Sequence, residues 1–423
     1  MENELENTIE SDVISINSAV RNTAVSYRVY RYRWVILGIY MLAAALTQLY
    51  WLNFSAIDTY VEANLHVSAM STGMLTLVFP IVYIILSLPS GILIDKKGFK
   101  YAVGIGIALT GAFSLLRMVN PGSYTMLLIS QIGIAAGQPF VLNGITKLVV
   151  TWFPVQEEAT AVGLGSLSML AGMIIGLGIT PLLVQSTGFN NMLLVYGILG
   201  ALGIILFFLL AKSKPPTPPR ELKEENISIK EGLTRILKMK NFVILGFVSL
   251  IGIGVFNGLA TWLEKIMDEL QHISMVNAGS ISALMVLAGI IGCVVIPMVS
   301  DRVKKRKPFL LLAAFIGAIC VALLMIKGNF VTNAINAIVL GFFLLSAFPI
   351  MLTMSLEITG EKYAGISAAY LQLLGNGAAI AIVPLIELLR NTSGGYILPL
   401  AFTAALLFIA VIMATRIKET IKS

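Results

Sequence analysis

Long apolar runs, each about the length needed to cross a lipid bilayer and separated by short polar breaks, constrain this chain more than any other feature. A bilayer-spanning helix needs roughly 20 mainly apolar residues. Runs of that length occur at about 34–56, 71–92, 99–119, 123–148, 158–184, 190–212, 241–264, 277–300, 308–326, 330–353, 361–388 and 394–416. They are continuous and show no alternation of period two, which favours helices over strands. In lipid a backbone must satisfy its own polar groups, and a helix does so within one segment. The expected fold is therefore an all-α membrane protein of twelve transmembrane helices. Composition agrees: 57% of the 423 residues are hydrophobic and only 12% are charged. That is about half the charge of an ordinary soluble protein.

The longest polar interruption divides the spans into six and six. It starts Lys212-Ser213-Lys214-Pro215-Pro216-Thr217-Pro218-Pro219-Arg220, a Pro-rich, charged and hence solvated stretch. The part from Ile227 to Lys240 has the pattern of a short amphipathic surface helix. The expected organisation is a cytoplasmic tail (1–33), an N-terminal bundle (34–212), a cytoplasmic linker (213–240), a C-terminal bundle (241–416) and a short tail (417–423). The first residues are polar and acidic, unlike a cleavable signal peptide.

Lys and Arg set the orientation, because they are retained on the cytoplasmic side. With the N-terminus inside, 25 of them fall on the cytoplasmic side and 4 (Arg117, Lys265, Lys327 and Arg390) on the other. Both termini are therefore expected in the cytoplasm, with the protein multi-pass in a cell membrane. The net charge of +7 lies in these loops, so it gives no reason to expect nucleic acid. Cys293 and Cys320 both fall in apolar runs and imply no disulfide framework. Two isolated histidines, His66 and His272, do not make a metal site. No P-loop is present, which argues against ATP-driven pumping. No cofactor is expected.

Between the second and third spans the chain reads Gly91-Ile92-Leu93-Ile94-Asp95-Lys96-Lys97-Gly98-Phe99-Lys100. Gly91 permits close helix contact, Asp95 sits at a helix boundary, and Gly98 allows a tight turn. A second, degraded copy, Ser300-Asp301-Arg302-Val303-Lys304-Lys305-Arg306, follows the eighth span. Asp301 follows Asp95 by 206 residues, and the spans starting at 34 and 241 are 207 apart. The halves are thus related by an internal repeat, as in many transporter folds, where substrate binds between repeats near the bilayer midplane. Both copies resemble the loop signature of the major facilitator superfamily. In that family the loop braces one half against the other in the outward-facing state. The resemblance implies gating roles for Gly91, Asp95, Lys96, Gly98, Asp301 and Arg302. Glu357, near the inner end of the tenth span, is a further gate candidate and the best placed residue for a proton relay. The fourth span carries Gln131 near where many proton-coupled members have arginine, and the fifth lacks a Gly-Pro pair.

Further stretches resemble the feline leukaemia virus subgroup C receptor-related branch of the superfamily. They are Leu49-Tyr50-Trp51-Leu52-Asn53-Phe54-Ser55, Gly137-Gln138-Pro139-Phe140-Val141-Leu142-Asn143, and Thr151-Trp152-Phe153-Pro154 with Glu157-Glu158-Ala159-Thr160-Ala161 behind it. Members of that branch are linked to choline and ethanolamine transport, haem export and other small metabolites. In choline-handling members a first-helix tryptophan and a fourth-helix glutamine line the cavity, which the resemblance maps to Trp51 and Gln138.

Polar side chains in lipid are costly and tend to face the bundle interior. On that ground the cavity candidates are Gln48, Tyr50, Trp51, Asn53, Gln138 and Asn143 in the first half. In the second they are Asn257, Trp262, Tyr370, Gln372 and Asn376. Structural alternatives exist. A tryptophan late in a span also serves as an interfacial anchor, a glutamine before proline also satisfies a freed carbonyl, and asparagines also bond helices together. The sequence points to a secondary transporter of a small neutral or cationic organic solute, working as a monomer in the bilayer by alternating access. A proton-coupled exporter of drugs or metabolites is the alternative within transport. A receptor or sensor that has kept the fold without transport is the alternative outside it; an enzyme is not expected.

Overall fold

A computed structural model describes residues 28–219 and 229–419. Most of the N-terminal tail, part of the central linker and the last four residues lie outside the described residues, so the expectations placed there are not addressed. Within the described residues the chain is helical, with eleven helices long and apolar enough to cross a membrane. The shorter apolar helix Lys307–Leu323 is the twelfth member of the set.

The first crossing is broken. Helix α1 (Arg33–Leu52) gives way at Asn53 to a short 3-10 turn (Ser55–Ile57), and α2 (Asp58–Leu65) completes it. The others of the first half are α3 (Ala69–Lys97), α4 (Phe99–Leu116), α5 (Tyr124–Leu142) continued by α6 (Gly144–Trp152), α7 (Glu158–Thr187) and α8 (Phe189–Leu210). A surface helix, α9 (Ile229–Ile236), lies where the linker's amphipathic pattern predicts one. The second half comprises α10 (Lys240–Gln271), α11 (Met275–Val303), α12 (Lys307–Leu323), α13 (Phe330–Thr359), α14 (Ala364–Ser393) and α15 (Ile397–Thr415).

Helix ends follow local chemistry. Ser68, Ser123 and Asn329 cap α3, α5 and α13, each accepting a backbone N–H through its side-chain oxygen. Gly98 turns the chain from α3 into α4 at φ +82°, a conformation that costs a side-chain-bearing residue steric strain. The acidic-then-basic hairpins containing Asp95 and Asp301 sit at the C-terminal ends of α3 and α11, so both lie at one end of the molecule. That end also carries Arg33, the start of α1, and Arg416, just past α15. It is called the basic end below.

Each half has its own apolar core. Small residues let helices close on one another. A methyl on Gly172 of α7 would come within 2.1 Å of the Ala45 carbonyl of α1, and one on Gly292 of α11 within 2.0 Å of the Phe342 carbonyl of α13.

The seventh crossing is longer than the hydropathy pattern predicts. α10 runs on through Glu264 and Lys265 to Gln271, because those two charges find partners on the first half. Arg117, expected near the outer end of the third span, is fully buried. It bonds the Gln131 side chain and lies over the rings of Tyr50 and Phe54 at 5.1 and 5.0 Å. In the lipid-free interior of the bundle, aromatic faces and an amide supply the contacts that water would otherwise give.

Candidate functional site: a passage between the halves

The two halves meet away from the basic end. The hydroxyl of Ser55 donates to the carbonyls of Ala260 and Thr261 in α10, the latter at 3.0 Å. Thr59 donates its N–H and hydroxyl to Glu264 Oε2 at 3.2 and 3.1 Å. Lys265 binds Glu62. The Trp262 ring covers Gly73, and its indole N–H donates to the Val383 carbonyl at 3.0 Å. Gly279 of α11 lies against Leu177 and Pro181 of α7. Toward the basic end the packing differs. A methyl placed on Gly91, Gly163 or Gly365 would meet nothing within 4 Å, and Asp95 is exposed. The halves are thus sealed at the far end and parted at the basic end.

Gln48 and Trp51 lie one turn apart on α1, just ahead of the break that brings Ser55 against the other half. Asn257 is one turn below Ala260 and Thr261 on α10, so it faces back. Depth agrees. The crossing Arg33–Leu65 has Gln48 and Trp51 at its middle, Tyr124–Trp152 has Gln138, Lys240–Gln271 has Asn257, and Gly365–Ser393 has Asn376. Gln372 is one turn nearer the basic end.

These central side chains hold polar atoms that the protein does not satisfy. Trp51 Nε1, Gln48 Oε1 and Asn257 Oδ1 are buried without hydrogen-bond partners among the described residues. Asn257 and Asn376 use only their amide N–H, on Ile253 and Gln372 carbonyls one turn back. A buried polar group without a partner costs free energy, so such a set is a reasonable place for a polar ligand or water. Trp51 lies mid-span and is 8% exposed, which places it far from an interfacial anchoring position.

Other candidates go elsewhere. Tyr50 turns into the first half, donating its hydroxyl to the Tyr196 carbonyl at 2.6 Å; α8 and Arg117 surround it, so it does not face the passage. Asn143 is occupied within that half. It accepts from the Tyr83 hydroxyl at 3.0 Å and donates to the Ser90 hydroxyl at 2.9 Å, bridging the break between α5 and α6 to α3. Both corrections have one cause: spacing along a helix does not give its rotation relative to the neighbours. Asn53 is fully enclosed with both amide atoms unpartnered, at the break in the first crossing. Tyr370 is half-buried, its ring 5.8 Å from Phe242.

At the basic end, Asp301 pairs with Arg306, and Arg306 Nε donates to Glu357 Oε1 at 3.1 Å. These ion pairs lie within the second half. Lys96, Arg302 and Asp95 are exposed there. Gln131, which occupies the position noted for an arginine, donates to the carbonyls of Tyr50 and Leu75 at 3.3 and 2.9 Å. Its oxygen receives Arg117, so the cation is present in the first half but comes from the third crossing. Among the described residues no group of three or more metal-binding side chains occurs.

Known proteins share both sequence and fold. The chain is 24% identical over 421 residues to the choline/ethanolamine transporter flvcr2a of Danio rerio, covering 94% of this chain and 88% of that one. It is 26% identical over 438 residues to the choline/ethanolamine transporter FLVCR1 of Mus musculus, covering 95% and 77%. A solved bacterial homologue of the human lysosomal transporter Spinster, inward-facing and unoccupied, superposes with a TM-score of 0.75 at 14% identity, covering 92% of this chain and 97% of that one. The outward-facing transporter FucP superposes at 0.61 and 16% identity, covering 90% and 99%. The profile described as Major Facilitator Superfamily matches residues 36–384. Two six-helix halves, a passage between them and this match place the chain in the Major Facilitator Superfamily, as a transporter of a small organic solute.

Proposed function

We propose that the chain carries a small cationic or neutral amine of the choline or ethanolamine class, by alternating access about the Trp51 site. The observation that carries this is the chemistry at mid-depth: an indole, amides with unused acceptors, and no carboxylate among the passage-facing side chains identified. An indole face holds a quaternary ammonium with about 2 kcal/mol once water is excluded, while Gln138, Gln48 and Asn257 offer hydrogen bonds to a hydroxyl or amine. The relatives that transport choline and ethanolamine support the same class.

In this reading the basic end is cytoplasmic, as its lysines and arginines favour, and the structure corresponds to an inward-facing state. Asp95, Lys96, Gly91 and Gly98, with Asp301, Arg302 and Glu357, close the basic end when the far end opens. One chain suffices, since its two halves enclose the passage, and the division into bundles 34–212 and 241–416 follows. The solute's own gradient drives flux.

Thermal shifts of purified protein with choline, ethanolamine, amino acids and sugars, followed by uptake into proteoliposomes, test this. Choline or ethanolamine should raise the midpoint, and W51A and Q138A should each lose the shift and uptake while still folding. A sugar or amino acid giving the sole shift would replace the proposal.

A further inference from the structure

At the sealed far end the halves meet over carboxyl groups. Asp58 at the start of α2, Glu264 in α10 and Glu387 in α14 are each no more than 2% exposed. Each leaves one oxygen enclosed without a hydrogen-bond partner: Asp58 Oδ2, Glu264 Oε1 and Glu387 Oε2. The other oxygen of Glu264 crosses to the first half, on the N–H and hydroxyl of Thr59. Asp58 belongs to the first half, with Thr72 of α3 beside it, and the next residue in the chain is Thr59, whose N–H and hydroxyl hold Glu264.

The surrounding charges do not neutralise this pair. Facing it are Glu62 from α2, Lys265, Asp268 and Glu269 from α10, Glu387 and Arg390 from α14, and the Tyr396 hydroxyl ahead of α15. Lys265 is bound to Glu62 and lies 4.0 Å from Glu269. Arg390 is bound to Glu269 at 2.6 Å and Glu387 at 2.9 Å. Six carboxyls therefore share two cations, and the ion pairs of both cations go to Glu62, Glu269 and Glu387. Among the described residues neither Asp58 nor Glu264 has an ion-pair partner. The exposed imidazoles of His66 and His272 face water at the same end.

Two ionised carboxylates enclosed beside one another repel, and both lose their hydration. A single proton taken up by one of them removes the repulsion. We propose that Asp58 and Glu264 form a proton-binding site that latches the far end shut. The proton comes from water on the far side as the halves close, and returns there when they part and both carboxyls are hydrated. No other bond is made or broken. The proposal rests on alternating access but not on the choice of solute. By linkage, the ratio of far-end-open to far-end-closed molecules rises with far-side pH, by up to about tenfold per pH unit for one proton.

The test is a distance measurement between spin labels across the far end, at N64C and T392C in the full chain with C293A and C320A, in nanodiscs from pH 5 to 9. The expected result is two distances whose long component grows with pH. D58N and E264Q mimic the protonated carboxyl, so each should stay at the short distance at high pH. The double variant H66N/H272N should respond as the parent does. Two distances in a pH-independent ratio, or a response lost with the histidines, overturn the proposal and leave the transporter reading in place. A single distance at every pH overturns the proposal and the rocking motion together.

Discussion

The two ends of the same helix bundle are built on different principles. At the far end, Trp262 lies on Gly73, Pro181 against Gly279, and charged side chains reach from one half to the other. At the basic end, ion pairs such as Arg33–Glu157 and Arg306–Glu357 stay within one half, and the glycines of α3, α7 and α14 face open space. Contacts across the boundary stabilise one conformation, whereas contacts within a half stabilise it in every conformation. A rocking transporter needs both kinds, with the crossing contacts weak enough to exchange.

The contrast can be tested, beginning where the effect should be largest. Replacing Lys265 by methionine removes the buried cation that joins Glu62 of the first half to the second. The sealed state should lose about 3 kcal/mol, read as a fall in the short-distance population in the same spin-label measurement. An unchanged population would show that this pair does not hold the end shut. Glycines on one helix give the next comparison. A valine at Gly73 would drive its Cβ to within 2.5 Å of the Trp262 ring, and overpacking there should cost roughly 1–3 kcal/mol. The thermal midpoint should fall and the long-distance component of the N64C/T392C measurement should grow.

A Cβ added at Gly91 meets nothing within 4 Å in the present conformation, so the stability of G91A should stay within about 0.5 kcal/mol of the parent. If the basic end closes around Gly91 in the other state, uptake nevertheless falls. Retained uptake would remove Gly91 from the gate. The smallest effect is expected for R33Q. Arg33 binds Glu157 with its Nε at 2.7 Å, but both partners reach water, whereas the Lys265 side chain is only 2% exposed, so the loss should be no more than about 1 kcal/mol. A drop comparable to that of Lys265→Met would show that the basic end is as tightly held as the far one.

The span pattern was legible because it reflects partition between lipid and water, which each segment undergoes nearly independently. The helices lie where the apolar runs predict, and the linker helix appears where its amphipathic stretch does. Trp51, Gln138, Asn257 and Asn376 were nominated on similar grounds, since a polar residue at mid-span has few favourable places to go, and all four lie near the middle of their crossings. Errors arose where a partner on a distant helix overrode local character. Glu264 and Lys265 look like the end of a span until Thr59 and Glu62 are brought against them. Arg117 looks like a charge at the edge of its span until Tyr50, Phe54 and Gln131 enclose it. Tyr50 and Asn143 have the composition of cavity residues, but the rotation of their helices turns them to neighbours in their own half.

Sequence alone thus determined the solvent of each segment, the number of crossings, the sixfold-plus-sixfold repeat and the charged end, because hydrophobic transfer and loop charge act locally. Tertiary structure decided which mid-span polar atoms are left without a partner among the described residues, which end is sealed, and that Thr59 meets Glu264. Those outcomes depend on helix rotation and on contacts between residues some 200 positions apart, and no local pattern encodes them.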